Sequence, residues 1–169
     1  ANAADVLVGM GAEVLIFDIN KNRLAEIENE FKGKVKTVYS SIDSLKKHLP
    51  TTDTVIGAVL VTGAKAPKLI TKDMLKIMKP KTVLVDVSVD QGGCFETTKP
   101  TTHSEPTYYV DDILHYAVAN MPGAVPRTST HALSSCTFPY AKILSEQTLD
   151  NLDNNFKKGI NIFNGYITN

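Results

Sequence analysis

TVIGAVLVT at residues 54–62 and TVLVDVSV at residues 82–89 are the two stretches that decide the fold. Each is almost wholly apolar and rich in β-branched residues, with no helical stripe. Strands read this way when both faces are covered, as in a parallel sheet packed between helices. Between them lie a loop with Gly63, Pro67 and two lysines, then a segment that Thr71 can cap. That segment carries Met74, Ile77 and Met78 at helical spacing and is ended by Pro80. Working outward, residues 13–18 (EVLIFD) are another apolar run and residues 35–39 a further strand candidate. The helix between them is expected to start at the N-cap Asn20, carry Leu24, Ile27 and Phe31 on one face, and stop at Gly33. Ile42, Leu45 and Leu49 mark a short helix stopped by Pro50, and Ala3, Val6, Leu7 and Met10 an opening helix stopped by Gly11. Strand and helix alternate with short connections, which predicts an α/β fold with a parallel sheet.

The alternation breaks at Gly92. From there to Pro126 the chain is loop-rich, with strand-like pieces near Tyr108 and Tyr116. Two helices are expected to close it, the second on a stripe of Leu152, Phe156, Ile160 and Phe163. The chain opens inside a helix and ends on Asn-Gly-Tyr-Ile-Thr-Asn, so it is expected to be a piece of a longer protein, cut at both ends.

Composition narrows the class. The 169 residues are 43% hydrophobic and 21% charged, the range of a soluble globular domain. Eighteen basic residues balance eighteen acidic ones, which argues against a nucleic-acid or anionic-membrane partner, both of which require clustered positive charge. Two cysteines, Cys94 and Cys136, make neither a disulfide framework nor a zinc site, so no metal is expected and a reducing cytoplasm is the expected compartment. No apolar run approaches the ~20 residues that span a bilayer.

Several polar residues stand where strands end. Asp18 closes the second strand of a βαβαβ pattern, where a carboxylate accepts hydrogen bonds from both hydroxyls of an adenosine ribose and repels a 2′-phosphate. That reading favours NAD over NADP, although the Gly-x-Gly-x-x-Gly turn that normally goes with it is not in the sequence. Equally, Asp18 can simply begin the turn that leads to Asn20. Asp90, in VSVDQGG at residues 87–93, lies at another strand end, beside glycines that let backbone approach a ligand, and is suited to proton transfer or to orienting an amine. Asp86, inside the apolar run, must find donors and reads equally as structural. Asn120 can donate and accept at once, or can serve the turn before Pro122. His48, His103, His115 and His131 have no ligand spacing, and Cys94 has no sequence-readable base.

VLVTGAKAPKLI at 59–70, MKP at 78–80, VDVSVDQGGCFE at 85–96, KPTT at 99–102 and YAVANMPGAVPRTST at 116–130 resemble the alanine dehydrogenase and pyridine nucleotide transhydrogenase family, the alanine dehydrogenases above all. The resemblance runs along nearly the whole chain. It implies a Rossmann-type doubly wound parallel sheet lacking its first strand and glycine loop, over residues 1–126. Residues 127–169 would be C-terminal helices returning to a catalytic domain outside the chain. The implied activity is reversible NAD-dependent oxidative deamination of L-alanine to pyruvate and ammonia, an amino-acid-catabolic reaction, by a cytoplasmic homohexamer. The alternatives are a transhydrogenase nucleotide-binding subunit and a non-catalytic NAD-binding module. Carried over, Asp90 matches the catalytic aspartate. Asp18 matches the ribose ligand, Arg23 a basic residue near the adenosine, and Ser40 a serine at the adenine portion. Val59 and Leu60 would line the cofactor, with Val87, Ser88, Val89 and Asp90 beside the nicotinamide and Val118, Ala119, Asn120 and Met121 completing that side. Lys99 stands where relatives often carry arginine. The family's substrate-binding arginine and lysine and its acid–base histidine fall outside this sequence, so the chain by itself is expected to be inactive.

Overall fold

The computed structural model describes residues 1–61 and 63–168. They divide into two compact units, Ala1–Met121 and Pro122–Asn169.

The first unit alternates as the sequence predicts. Helix α1 (Asn2–Gly9) leads through Gly11, whose φ of 84° needs a residue without a Cβ, into strand β1 (Val14–Asp18). Asn20 caps helix α2 (Lys21–Phe31), its side chain accepting from the N–H groups of Asn22 and Arg23. Leu24, Ile27 and Phe31 are its buried face. Strand β2 (Val35–Tyr39) pairs parallel to β1, Asp18 opposite Tyr39. Ser41 and Ser44 form a reciprocal capping box on helix α3 (Ile42–His48).

Strand β3 (Thr54–Gly57) pairs parallel to β4 (Val83–Asp86), which pairs parallel to β6 (Ile113–Tyr116). Strand β5 (Thr107–Val110) is an antiparallel edge on β6. Both deciding stretches are strands, but only over their first halves. Val87 turns out of β4 into a short 3-10 turn at Val89–Gln91, and Thr62, the last residue of the expected strand 54–62, lies outside the described residues. The helix expected after Thr71 is a single turn, α4 (Lys72–Leu75). The Thr71 side chain does not cap it; the Glu96 carboxylate does, accepting from the Lys72 N–H at 2.6 Å. Beyond it the chain continues in turns towards Lys81, which has φ 68°.

β1 and β2 form one sheet, and β3, β4, β6 and β5 another. β1 and β3 therefore each carry a paired neighbour on one side only. A doubly wound sheet without its central strand has this division. Each sheet has its own apolar cluster. Ala4, Val14, Ile27, Phe31 and Val35 pack around the first. Ile70, Leu75, Leu84, Phe95 and Ile113 centre the second and are almost completely buried. Each such side chain is worth about 1.5–3 kcal/mol of burial.

The second unit holds the long helix α5 (Pro126–Glu146), a short helix α6 (Asn154–Lys158) and a hairpin of β7 (Ile162–Phe163) and β8 (Tyr166–Ile167). The expected second helical stripe is corrected here, because Ile160 and Phe163 lie beyond α6. Asn164 and Gly165, at φ 50° and 83°, turn the chain into an antiparallel hairpin instead. Asn-Gly between apolar pairs is a strong hairpin signal and overrides a weak helical stripe. Among the described residues no helix is long and apolar enough to cross a membrane.

Candidate functional site

Parallel strands bring their carboxyl ends to one edge of a sheet, and loops that follow those ends build sites there. Asp18 is the last residue of β1 and Ser40 follows β2. They are joined directly, the Ser40 N–H donating to the Asp18 carbonyl at 2.9 Å. The Asp18 carboxylate uses Oδ1 to accept from the Asn20 N–H at 2.8 Å, while among the described residues nothing donates to Oδ2. Both readings of Asp18 are thus compatible: it begins the turn and keeps an acceptor. Arg23, on the first turns of α2, is bound to Glu26 at 2.9 Å and lies 3.8 Å from Glu30, and the Glu26 hydrogen bond raises its pKa further.

The second group follows β3, β4 and β6. The Ser88 hydroxyl donates to the Val59 carbonyl at 2.8 Å, tying the loop after β4 to the loop after β3. Asp90 is exposed at the far side of the 3-10 turn. The Asn120 N–H points at its carboxylate, 3.4 Å from each oxygen. Asn120 has φ 53°, a left-handed conformation that asparagine tolerates better than most residues, and its carbonyl is 3.1 Å from His103 Nε2. Val89 and Val118 are buried and Val87 and Leu60 exposed. Ala119 is held by its N–H on the Thr101 carbonyl at 3.0 Å, and Met121 opens the 3-10 turn that follows. Leu60, Lys65, Asp90, Gln91 and Gly92 line an open surface hollow of about 640 Å³. Among the described residues no hydrogen bond joins this group to Asp18 and Ser40.

Asp86 is the anchor beneath the loop. Its carboxylate, 1% exposed, accepts from the N–H groups of Ser88 at 3.0 Å, Cys94 at 2.9 Å and Phe95 at 3.4 Å, from the Thr98 hydroxyl, and from the Cys94 thiol at 3.4 Å. So many donors offset the cost of burying a carboxylate. Burial, reinforced by the Asp86 charge, pushes the Cys94 thiol up to about 12, far from a nucleophile's range. His115 is also buried; its Nδ1–H donates to the Ile113 carbonyl and its Nε2 accepts from Thr97, with its ring stacked on Tyr108. Burial lowers its pKa, so it is a neutral structural group. Among the described residues no group of three or more His, Cys, Asp and Glu could hold a metal.

Sequence reasoning singled out Asn120 and Asp86 but missed that Asn120 meets Asp90 through its backbone N–H, and it missed Lys68 altogether. Lys68 donates to the carbonyls of Gly92 and Gly93, 24 and 25 residues away, and no local pattern encodes that meeting.

Parallel strand pairs in two sheets, with Asp18 and Ser40 at the strand ends of one and Val59, Asp90 and Asn120 beyond those of the other, define a Rossmann-like α/β domain. The chain matches, over residues 1–169, the family described as alanine dehydrogenase/PNT, C-terminal domain, and belongs to that family. It is 52% identical to the alanine dehydrogenase of Halomonas elongata over 99% of its own length and 46% of that protein. With the alanine dehydrogenase of Mycolicibacterium smegmatis it shares 56% over 86% of its length and 39% of the relative. Among solved structures, an L-alanine dehydrogenase superposes with a TM-score of 0.86 at 44% identity, over 98% of this chain and 46% of that one. A transhydrogenase from Sinorhizobium meliloti reaches 0.64 at 25% identity, over 78% and 38%. The chain spans just under half the length of the alanine dehydrogenases it matches.

Proposed function

We propose that the polypeptide bearing this chain oxidatively deaminates L-alanine to pyruvate and ammonia, reversibly and with NAD, and that this chain is its cofactor-binding portion. The observation that carries the reading is the Asp90 carboxylate, exposed at an open hollow and facing the Asn120 N–H in the loops that follow β4 and β6. The alanine dehydrogenases align over the whole of this segment, whereas the transhydrogenase likeness is weaker in both identity and superposition.

The chain's residues fit NAD. Among the described residues nothing donates to Asp18 Oδ2, at the end of β1, which would accept from a ribose hydroxyl, and its charge would disfavour a 2′-phosphate. Ser40 and Arg23 would meet the adenosine end. Val59 and Leu60, Val87 to Val89 and Val118 to Met121 would line the nicotinamide end. NAD supplies the hydride acceptor; hydride leaves the alanine Cα, giving an imine that water converts to pyruvate and ammonium. Asp90 would orient the amine and stabilise the positive charge on the imine. The Asn120 N–H, by facing Asp90, fixes where that carboxylate points. The proton-accepting base belongs to the part of the polypeptide outside this chain. A cytoplasmic homohexamer is the assembly and compartment we assign.

The test is alanine-dependent NADH formation by the full-length polypeptide and by its Asp90→Asn variant, followed by absorbance. The wild type should turn over and D90N should lose roughly 10²–10⁴-fold in kcat. An inactive wild type, or a D90N protein as fast as it, would defeat the reading.

A further inference from the structure

Resting on the role just given to Asp90, we propose that Lys68 is a positioning residue for that carboxylate: by holding the carbonyls of Gly92 and Gly93 it fixes the turn on which Asp90 stands. The segment 66–69 runs alongside the segment 91–94 and meets all four of its consecutive carbonyls. The Ala66 N–H donates to Gln91 at 3.1 Å and the Leu69 N–H to Cys94 at 2.7 Å. Between them the Lys68 ammonium donates to Gly92 at 2.6 Å and Gly93 at 2.7 Å. These lengths are those of charge-assisted bonds.

Both glycines are left-handed, at φ 88° and 73°, which turns the two carbonyls towards one cation. At Gly93 a Cβ would lie 2.5 Å from Thr98 Cγ2 and 2.8 Å from Asp86 Oδ2, so only glycine fits the crossing. Glycine pairs are also the most easily flipped peptides in a chain. The amides of the same loop are held from the other side. Ser88 and Cys94 donate to the Asp86 carboxylate, while Gln91 and Gly93 both donate to the Ser88 carbonyl. An anion therefore holds the N–H groups of Ser88 and Cys94, and a cation the C=O groups of Gly92 and Gly93, with Asp90 on the turn between Ser88 and Gly92. Asp86 is buried in the core and cannot be changed without unfolding its surroundings, but Lys68 is an exposed residue whose removal leaves the core intact. Lysine is free to act this way because the three ammonium hydrogens reach two carbonyls from one stem.

The experiment uses the full-length polypeptide with Lys68→Met, which keeps the stem and removes the donors, and Lys68→Arg, whose fork can bridge two carbonyls. D90N serves as the reference for lost chemistry. kcat and KM for alanine are measured together with NADH affinity by fluorescence and the melting temperature. K68M should lower kcat roughly tenfold, with NADH affinity changed by less than about twofold, and K68R should recover most of the loss. If K68M melts well below the wild type, Lys68→Gln, which keeps one donor, is judged by the same measurements. K68M (or that substitute) at wild-type kcat while D90N is inactive would overturn the proposal alone. So would parallel losses of kcat, NADH affinity and melting temperature that arginine does not rescue, because those describe a merely structural lysine. A D90N protein with full turnover would overturn the reading of Asp90, and this proposal with it.

Discussion

His115 shows how a titratable residue can sit at the heart of a site and take no part in its chemistry. Its ring is closed in by Thr97, Tyr108 and the Ile113 carbonyl, and burial holds its pKa below the ordinary 6.5 despite the opposing pull of that carbonyl and of the Asp86 charge. Above pH 6.5 folded and unfolded chains both carry it neutral. As pH falls below that value the unfolded chain binds a proton that the folded chain refuses, so stability is lost down to the lower folded-state pKa and not further. The expected result is that the full-length polypeptide's advantage over a His115→Gln variant, read as urea midpoints, is largest near about pH 8 and shrinks towards about pH 5. A gap that stays constant over that range would show that burial does not govern His115. Cys94 obeys the same rule with the opposite sign for an acid: burial raises it, and the thiol stays protonated beside a carboxylate. Buried Asp86 is occupied in another way, both of its carboxylate oxygens being spent on loop donors.

Strand β3 ends at Gly57, and the element can lie where it does only because that residue has no side chain. A Cβ there would stand 2.2 Å from Cys94 Sγ and 2.7 Å from Phe95 Cζ, both fully buried and unable to retreat. Gly57→Ala should therefore destabilise the full-length polypeptide by about 1–3 kcal/mol, the cost of overpacking, and lower its melting temperature. An unchanged melting temperature would mean that β3 and the segment after Gly93 can slide apart. The elements themselves were legible wherever the local pattern and the packing agree: Leu24, Ile27 and Phe31 on α2, the Asn20 cap, and the apolar starts of β3 and β4. What the sequence hid is where an element stops because of a distant partner. Nothing near Thr71 announces that Glu96 will cap α4, and nothing in residues 82–89 marks Asp86 as the residue at which β4 ends. At the site, the strand-end position of Asp18 was readable from alternation alone, whereas Asp90, expected at the end of the 82–89 strand, stands on the 3-10 turn beyond the end of β4 at Asp86. The turn of Asn120 towards Asp90 and the reach of Lys68 to Gly92 were not readable, because both are contacts between segments more than 20 residues apart. The Asn164–Gly165 hairpin is a different case: its signal was local and explicit, and the longer stripe through Phe163 obscured it.

Whole-molecule behaviour follows from surfaces that these 169 residues leave uncovered. β1 and β3 each offer a full row of backbone donors and acceptors on one side, and unpaired parallel edges of this kind recruit other chains. In the second unit, α5 has no buried residue along its 21 positions, with Leu133 and Phe138 each about two-thirds exposed. A helix that packs so little gains almost nothing from tertiary contacts, which are the main source of helical stability in proteins. The β7–β8 hairpin is likewise apolar and open, Tyr166 and Ile167 being about four-fifths exposed. Patches of this type mark places where other polypeptide belongs. The proposed chemistry points the same way: Asp18 and Asp90 follow strands of different sheets, and of the described histidines in the first unit His115 is buried and His103 is engaged on the Asn120 carbonyl. The 169-residue chain expressed by itself should accordingly form no NADH from alanine, elute as aggregates and melt without a sharp cooperative transition. Size-exclusion chromatography with calorimetry, alongside the same alanine assay, checks all three. A monomer that melts reversibly in one step would show that the two sheets need nothing between them, and alanine-dependent NADH from that monomer would place the proton-accepting base among these residues after all.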